Sequence, residues 1–308
     1  MSEPTTSRPV PGQPVPGQPV PGQHRADHVD GWRQRVAGVA DFVRRRAAGD
    51  YEVDESGFDP DFHASVVMPV SRAVYRNWFR VCMRGVEHVP AEGAALVVAN
   101  HSGVLPFDAA MLQSGLFDEH PAHRNLRLLG ADLVYAIPGL AGLARKSGHT
   151  TACPAEAARL LRAGELVGVF PEGFKGIGKP FSKRYQLQRF GRSGFAATAI
   201  RAGVPIIPCA IVGAEEIYPM IGNAGPLARM LRLPYFPVTP LFPWLGPLGA
   251  IPLPSNWIIE FSPPVPTGGY PVTGQAHEEA VAELGAVVRD IIQRRLDQLV
   301  VERGPAFS

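Results

Sequence analysis

Short apolar, β-prone runs recur along the chain, and helix-period segments separate them. Ala95 to Ala99 is one such run, and Ala109-Ala110-Met111-Leu112 shortly after it reads as helix. Leu126 to Gly130, Leu166 to Phe170, Val204 to Val212 and Trp257 to Phe261 are others, while Trp78 to Arg84 alternates like a strand. Apolar runs without polar alternation predict strands buried on both faces of a parallel sheet. Pro154 to Ala163 reads as a helix with Ala155, Ala158, Leu160 and Leu161 inward and Gly164 as its cap; Gly194 to Ala202 is another. His277 to Val301 is a long amphipathic helix whose apolar face is Val281, Leu284, Val287, Val288, Ile291, Ile292, Leu296 and Leu299. The pattern predicts an α/β fold, a mostly parallel central sheet flanked by helices.

Two further helices are predicted ahead of the sheet. In Val29 to Ala48, Trp32, Val36, Val39, Phe42 and Val43 form an apolar stripe, with Arg33, Arg35, Arg44, Arg45 and Arg46 elsewhere. Such a helix either lies on an anionic membrane or docks on the domain. After an acidic linker over 50–59, Pro60 to Arg76 reads as a second helix packed through Phe62, Val66, Val67, Val70, Val74 and Tyr75. Residues 1–25 hold Pro-Val-Pro-Gly-Gln three times over, which cannot bury a core and predicts a disordered tail. The organisation is therefore a tail over 1–25, N-terminal helices over 26–78 and one α/β domain over 79–308.

Prolines adjust two segments. Pro205 and Pro208 mark the start of the Val204–Val212 strand and an interruption of its pairing. Leu233 to Ile259 contains no charge and is long enough to span a bilayer, but its seven prolines exclude a continuous helix. With Tyr235, Phe236, Phe242 and Trp244 between the prolines, it reads either as an aromatic loop in the lipid interface or over an acyl chain, or as a buried wall of the core.

Composition narrows the class. Of 308 residues, 45% are hydrophobic and 19% charged, which is globular, and a net charge of +2 implies no polyanion as partner. The three cysteines, Cys82, Cys153 and Cys209, form no metal pattern and suggest a reducing compartment; the first residues carry no apolar signal core. Charge matters locally. All four lysines fall between Lys146 and Lys183, and no acidic residue occurs between Glu172 and Glu215. Lys175, Lys179, Lys183, Arg184, Arg189, Arg192 and Arg201 lie in that window among glycines, an anion-binding composition and a flexible loop.

The candidate chemistry sits where apolar runs end. His101 leaves the Ala95–Ala99 run, and Pro106, suited to a first helical turn, places Asp108 in that turn near the positive end of the helix dipole. An ionised Asp108 there can accept from one ring nitrogen of His101 and leave the other as a general base. Glu172-Gly173 ends the Leu166–Phe170 run, with the basic loop following. Neither a Gly-x-Ser-x-Gly elbow nor a catalytic Cys pattern is present, so a substrate hydroxyl can itself be the nucleophile.

From Phe79 to Pro266 the sequence resembles the glycerophospholipid acyltransferases, the 1-acylglycerol-3-phosphate acyltransferase-like family. Asn100-His101 through Asp108 is similar to its first block, Phe170-Pro171-Glu172-Gly173 to its third and Val204-Pro205-Ile206-Ile207-Pro208 to its fourth; Arg145 to Gly148 stands loosely in the place of the second. The resemblance implies that the first block is catalytic, that Glu172 and Gly173 contact the acceptor, and that acyl-CoA or an acyl carrier protein is the co-substrate with no further cofactor. With the charge pattern, it makes Lys175, Lys179 and Arg145 candidates for the acceptor phosphate. The implied partners are the acyl donor, a lysophospholipid and a membrane surface, with no nucleic acid, and the implied place is the cytoplasmic face of the membrane. One departure stands out: the family has four residues between His and Asp, and this chain has six, the extra pair being Leu105-Pro106. Two other readings remain, acylation of a non-phosphorylated lipid alcohol and non-catalytic lipid binding on the same fold.

Overall fold

The computed structural model describes residues 23–102, 105–131, 134–135, 139–191, 193–230 and 235–307. Of the tail expected over 1–25, residues 1–22 lie outside that range. The chain divides into two compact units at Tyr51–Glu52. In the first, α1 (Gln23–Ala48) is a single helix with Val36, Val39 and Val43 exposed along it.

The second unit begins with a helical segment over 60–78. Asp59 caps its start by accepting from the Phe62 N–H, and Pro60 occupies the first turn. Two stretches, His63–Val67 and Val74–Trp78, are π-helical. Their wider turns displace the buried face from ordinary helical spacing. His63, Met68 and Tyr75 are buried, whereas Val66 and Val70, expected to pack, are exposed. Trp78 belongs to this segment and not to the following strand. The segment is fastened to α2 (Phe107–Glu119) by a forked Arg72–Asp118 contact and by the Tyr75 hydroxyl donating to Glu119 at 2.6 Å.

The strands are β1 (Cys82–Arg84), β2 (Ala95–Ala99), β3 (Leu126–Gly130), β4 (His149–Thr151), β5 (Leu166–Val169), β6 (Ile206–Val212), β7 (Gly222–Asn223), β8 (Pro237–Val238) and β9 (Ile258–Phe261). Seven form one sheet in the order β1-β9-β6-β2-β5-β3-β4, and β7 and β8 form a small hairpin. All pairings in the large sheet are parallel except β6 with β9. The short edge strand β4 carries no apolar run, so the hydrophobic pattern does not predict it. Because β2 lies between β5 and β6 and runs parallel to both, their C-terminal ends share one edge. The chain passes to opposite sides of β2 there, which opens a crevice.

Alternation along β2 feeds two cores. Ala95, Val97 and Ala99 face one with Met111, Leu112 and Leu116 of α2. Leu96 and Val98 face the other. Beyond α3 (Leu140–Lys146), that second core is covered by α4 (Pro154–Arg162), α5 (Gly194–Ala202) and α6 (Gly274–Arg303). Leu284, Val288, Ile292, Leu296 and Leu299 of α6 are buried in it, each worth roughly 2 kcal/mol of apolar transfer. Val287 and Ile291, also expected on that face, stand at its margin, Val287 exposed. In α4, Ala157 is buried and Ala155 exposed, the reverse of the expected alanine.

Pro208 interrupts pairing on one side only. Toward β2 the register continues through Val98↔Pro208. Toward β9 the ladder stops at Cys209↔Phe261 and resumes at the bridge Ile206↔Val265, with one residue more on the second strand. The missing N–H falls in that bulge, and the Pro208 carbonyl accepts from the Ser262 N–H at 2.8 Å.

Candidate active site

The end of β2 is fixed before the chemistry begins. The buried Asn100 side chain donates to the Ile211 carbonyl at 2.9 Å and accepts from the Ile211 N–H at 2.7 Å, so it prolongs the β2–β6 ladder with a side chain. His101 is thereby delivered to the crevice with a set direction.

Asp108 lies in the first turn of α2, fully buried. The helix starts one residue later than expected: Pro106 precedes it as its cap, and the Ala110 N–H reaches the Pro106 carbonyl. One Asp108 oxygen accepts from His101 Nδ1 at 2.6 Å and from the Ser102 N–H at 2.9 Å; the other accepts from the Ala109 N–H at 2.8 Å. A carboxylate has no proton to give, so Nδ1 carries the hydrogen and Nε2 is the basic atom. The longer spacing thus still closes the His–Asp pair; Gly103 and Val104, inside it, lie outside the described residues. The His101 ring is 18% exposed and stacks on Phe170, with centroids 4.6 Å apart. Burial disfavours the imidazolium, but the charge and hydrogen bond of Asp108, helped by Glu172, outweigh it and hold the His101 pKa above 6.5, while Lys179 opposes.

The Phe170–Gly173 turn adds a second layer. Gly173 adopts φ +54°, a left-handed conformation that turns the chain into the short helix Phe174–Ile177. That helix packs closely on the His101 backbone: a Cβ at Gly176 would stand 2.9 Å from the His101 carbonyl oxygen and 2.7 Å from the Glu172 Cβ. Glu172 is buried, and one of its oxygens accepts from the His101 N–H at 3.1 Å, the other from the Gln188 N–H at 2.7 Å.

The expected phosphate ligands part company here. Lys179 is buried, and its ammonium is 2.9 Å from Glu215, 3.4 Å from Glu172 and 3.2 Å from the Gln186 carbonyl. It is a paired internal cation and not a free one, because it lies between two carboxyl groups. Lys175 is exposed on the turn that covers His101. Arg145 is exposed at the end of α3, its guanidinium 5.7 Å from the Tyr135 ring centre; its described contacts do not bring it to His101. The loop expected to be flexible is anchored: the buried Tyr185 hydroxyl accepts from the Gly213 N–H, and the Leu187 N–H donates to Gln293 of α6. Lys183, Arg184 and Arg189 remain exposed on it; Arg192 lies outside the described residues.

Sequence reading passed over Phe170, Gln188, Glu215 and Tyr235 as site residues. Glu215 had a signal: it ends the acid-free window just past β6, at the same sheet edge as His101. Burial, aided by the charge of Asp108 within electrostatic reach, pushes the Tyr235 hydroxyl up to about 12.

Known proteins show similar features. A sequence model described as acyltransferase matches residues 80–212. An uncharacterised protein of Mycobacterium tuberculosis is 54% identical over 274 residues, covering 89% of this chain and 76% of that protein. One from Mycobacterium leprae is 52% identical over the same length, 89% of this chain and 75% of the relative. A "DGAT1/2-independent enzyme synthesizing storage lipids" from Homo sapiens is 28% identical over 170 residues, 54% of this chain and 51% of that one. The crystal structure of the 1-acyl-sn-glycerophosphate acyltransferase PlsC from Thermotoga maritima shares the fold, with a TM-score of 0.51 and 19% identity over 76% of this chain and 78% of that one.

Proposed function

The chain belongs to the acyltransferase family, the glycerophospholipid acyltransferase-like family that its sequence blocks resemble, and from that premise we propose that it moves a fatty acyl group from a thioester to a hydroxyl of a lysophospholipid-type acceptor. The observation that carries the reading is the 2.6 Å His101–Asp108 contact at the end of β2. His101 Nε2 takes the hydroxyl proton as the acceptor oxygen attacks the thioester carbonyl carbon. Asp108 holds Nδ1–H and stabilises the imidazolium. The tetrahedral intermediate then breaks its C–S bond, and His101 returns the proton to the leaving thiolate. The donor is acyl-CoA or an acyl carrier protein, and the exposed Lys183, Arg184 and Arg189 suit its phosphate groups. Lys175, on the turn over His101, suits the acceptor phosphate, with Gly173 leaving the approach open. The protein works peripherally at the cytoplasmic face of a membrane; among the described residues no helix is long and apolar enough to cross one.

A second reading, acylation of a non-phosphorylated lipid alcohol, is favoured by two observations: the enclosure of Lys179 by carboxylates, and the partial likeness to an enzyme synthesizing storage lipids. Purified protein given palmitoyl-coenzyme A with lysophosphatidate, monoacylglycerol or diacylglycerol separates the two. Thiol release with lysophosphatidate, lost in His101→Ala, is the expected result, and Lys175→Ala should raise the KM for lysophosphatidate alone. Turnover only with the neutral alcohols replaces the first reading by the second. Activity that survives His101→Ala sinks the mechanism.

A further inference from the structure

Glu172, Lys179 and Glu215 come from two separate loops and meet under the base. Their side chains are 0%, 4% and 6% exposed, so solvent does little to screen them. Each group holds the next. Glu172 accepts from the His101 N–H, Lys179 lies 3.4 Å from the other Glu172 oxygen, and Glu215 accepts from Lys179 at 2.9 Å. The chain closes a ring as well, since Gln188 donates to Glu172 while Lys179 donates to the Gln186 carbonyl. A lysine reserved for a substrate phosphate would face the crevice. This one is enclosed, and removing one member leaves a buried charge without its partner.

We infer that Glu172, Lys179 and Glu215 form a buried positioning triad for His101, in which Glu172 holds the backbone of the base, Lys179 holds Glu172, and Glu215 holds Lys179. The inference rests on His101 acting as the base. The charged groups that act on the ring are Asp108 from α2 and Glu172 and Lys179 from the loop after β5; Glu215, from the turn after β6, is paired with Lys179. Glu172 favours the imidazolium and Lys179 disfavours it, so the pair moderates how basic the ring becomes. Glu215 is itself pushed up to about 7, chiefly by burial and against the pull of Lys179.

The test uses the full chain with two readouts: palmitoyl-coenzyme A turnover on lysophosphatidate, and titration of the His101 ring by heteronuclear NMR, which needs no turnover. Glu172→Gln is expected to move the ring titration and the acid limb of kcat down by about one pH unit, and Lys179→Met to move both up by about as much. Glu215→Gln should act in the same direction as Glu172→Gln but by less. Each should lower kcat about tenfold or more while leaving the acceptor KM within about twofold, because the groups act through His101. A lysine that bound acceptor phosphate would instead raise KM and leave the titration in place, which overturns the triad. If Lys179→Met does not fold, the two near-isosteric glutamine variants decide, and unmoved titrations in both overturn it. Activity that survives His101→Ala removes the base and the triad with it; an inactive His101→Ala beside unmoved titrations removes the triad alone.

Discussion

His101 carries two opposing loads. Its partial burial works against the charged ring, and Asp108 at 2.6 Å works for it; the carboxylate wins, and the pKa stands above the ordinary 6.5. In the proposed mechanism His101 must be neutral to accept a proton, so activity is expected to rise with pH along an acid limb placed above 6.5. Asp108→Asn should pull that limb below 6.5 and lower kcat by about a thousandfold or more, since the amide no longer fixes the tautomer or balances the imidazolium. A pH profile of kcat for both proteins checks this, and a limb that stays in place would separate Asp108 from the base. The stability sign is opposite. A raised histidine pKa contributes folding stability that is full below 6.5 and lost as pH rises through the higher folded value. His101 and Asp108 were legible in the sequence because both lie in one short stretch at the end of an apolar run. The partnership of Lys179 and Glu215 was not, since a basic run reads the same whether solvated or ion-paired, and only the fold brings residues 36 apart into contact.

At the scale of elements, strands read well and helix faces less so. β2, β5, β6 and β9 are apolar runs because both faces of the sheet are covered, and β4 escaped notice because it is short and polar. The 60–78 segment was placed along the chain but not around its axis, because π turns alter the angular step on which the face assignment rests. The first of those stretches buries His63. Its ring meets Phe58 and Phe117 edge-on, both at 5.9 Å, and neither nitrogen has a hydrogen-bond partner among the described residues. Burial, aided by the charge of Arg72, lowers its pKa to about 4. The folded protein keeps this ring neutral, while the unfolded chain protonates it below 6.5. Stability is therefore full above 6.5 and is lost as pH falls toward 4, by about 3 kcal/mol at the limit. His149, also lowered to about 4 by burial and then by the charge of His63, adds to the same slope. His63→Phe keeps the ring contacts and removes a titrating group. Urea unfolding at pH 7 and pH 5 should show a smaller acid loss in the variant, with stability at pH 7 held or raised. An acid loss equal to the wild type's would show that His63 does not titrate on unfolding.

For the second unit as a whole, the charge-free segment is buried in one part and exposed in another, so it is not a core wall throughout. Pro237, Thr239 and Trp257 are buried, and Phe242 is half-buried against Phe236. Trp244, Leu245, Leu248 and Ile251 are 72%, 51%, 64% and 50% exposed. The patch continues onto the N-terminal helical segment, where the half-exposed Trp78 donates its indole N–H to the Pro252 carbonyl at 3.0 Å and Val70 is exposed further back. Indole and aliphatic groups gathered without a charge suit the headgroup boundary of a bilayer, where an apolar body is buried and a polar tip stays wet. Near the start of the segment, Tyr235 lies within electrostatic reach of Asp108. Trp244→Glu and Leu248→Glu should each weaken sedimentation with phosphatidylcholine–phosphatidylglycerol vesicles by about tenfold or more, the equivalent of one large apolar side chain lost from the interface. Turnover of a short-chain acceptor in free solution should be nearly unchanged, because neither residue touches the base. Vesicle binding that is indifferent to both substitutions would leave this surface without a bilayer partner.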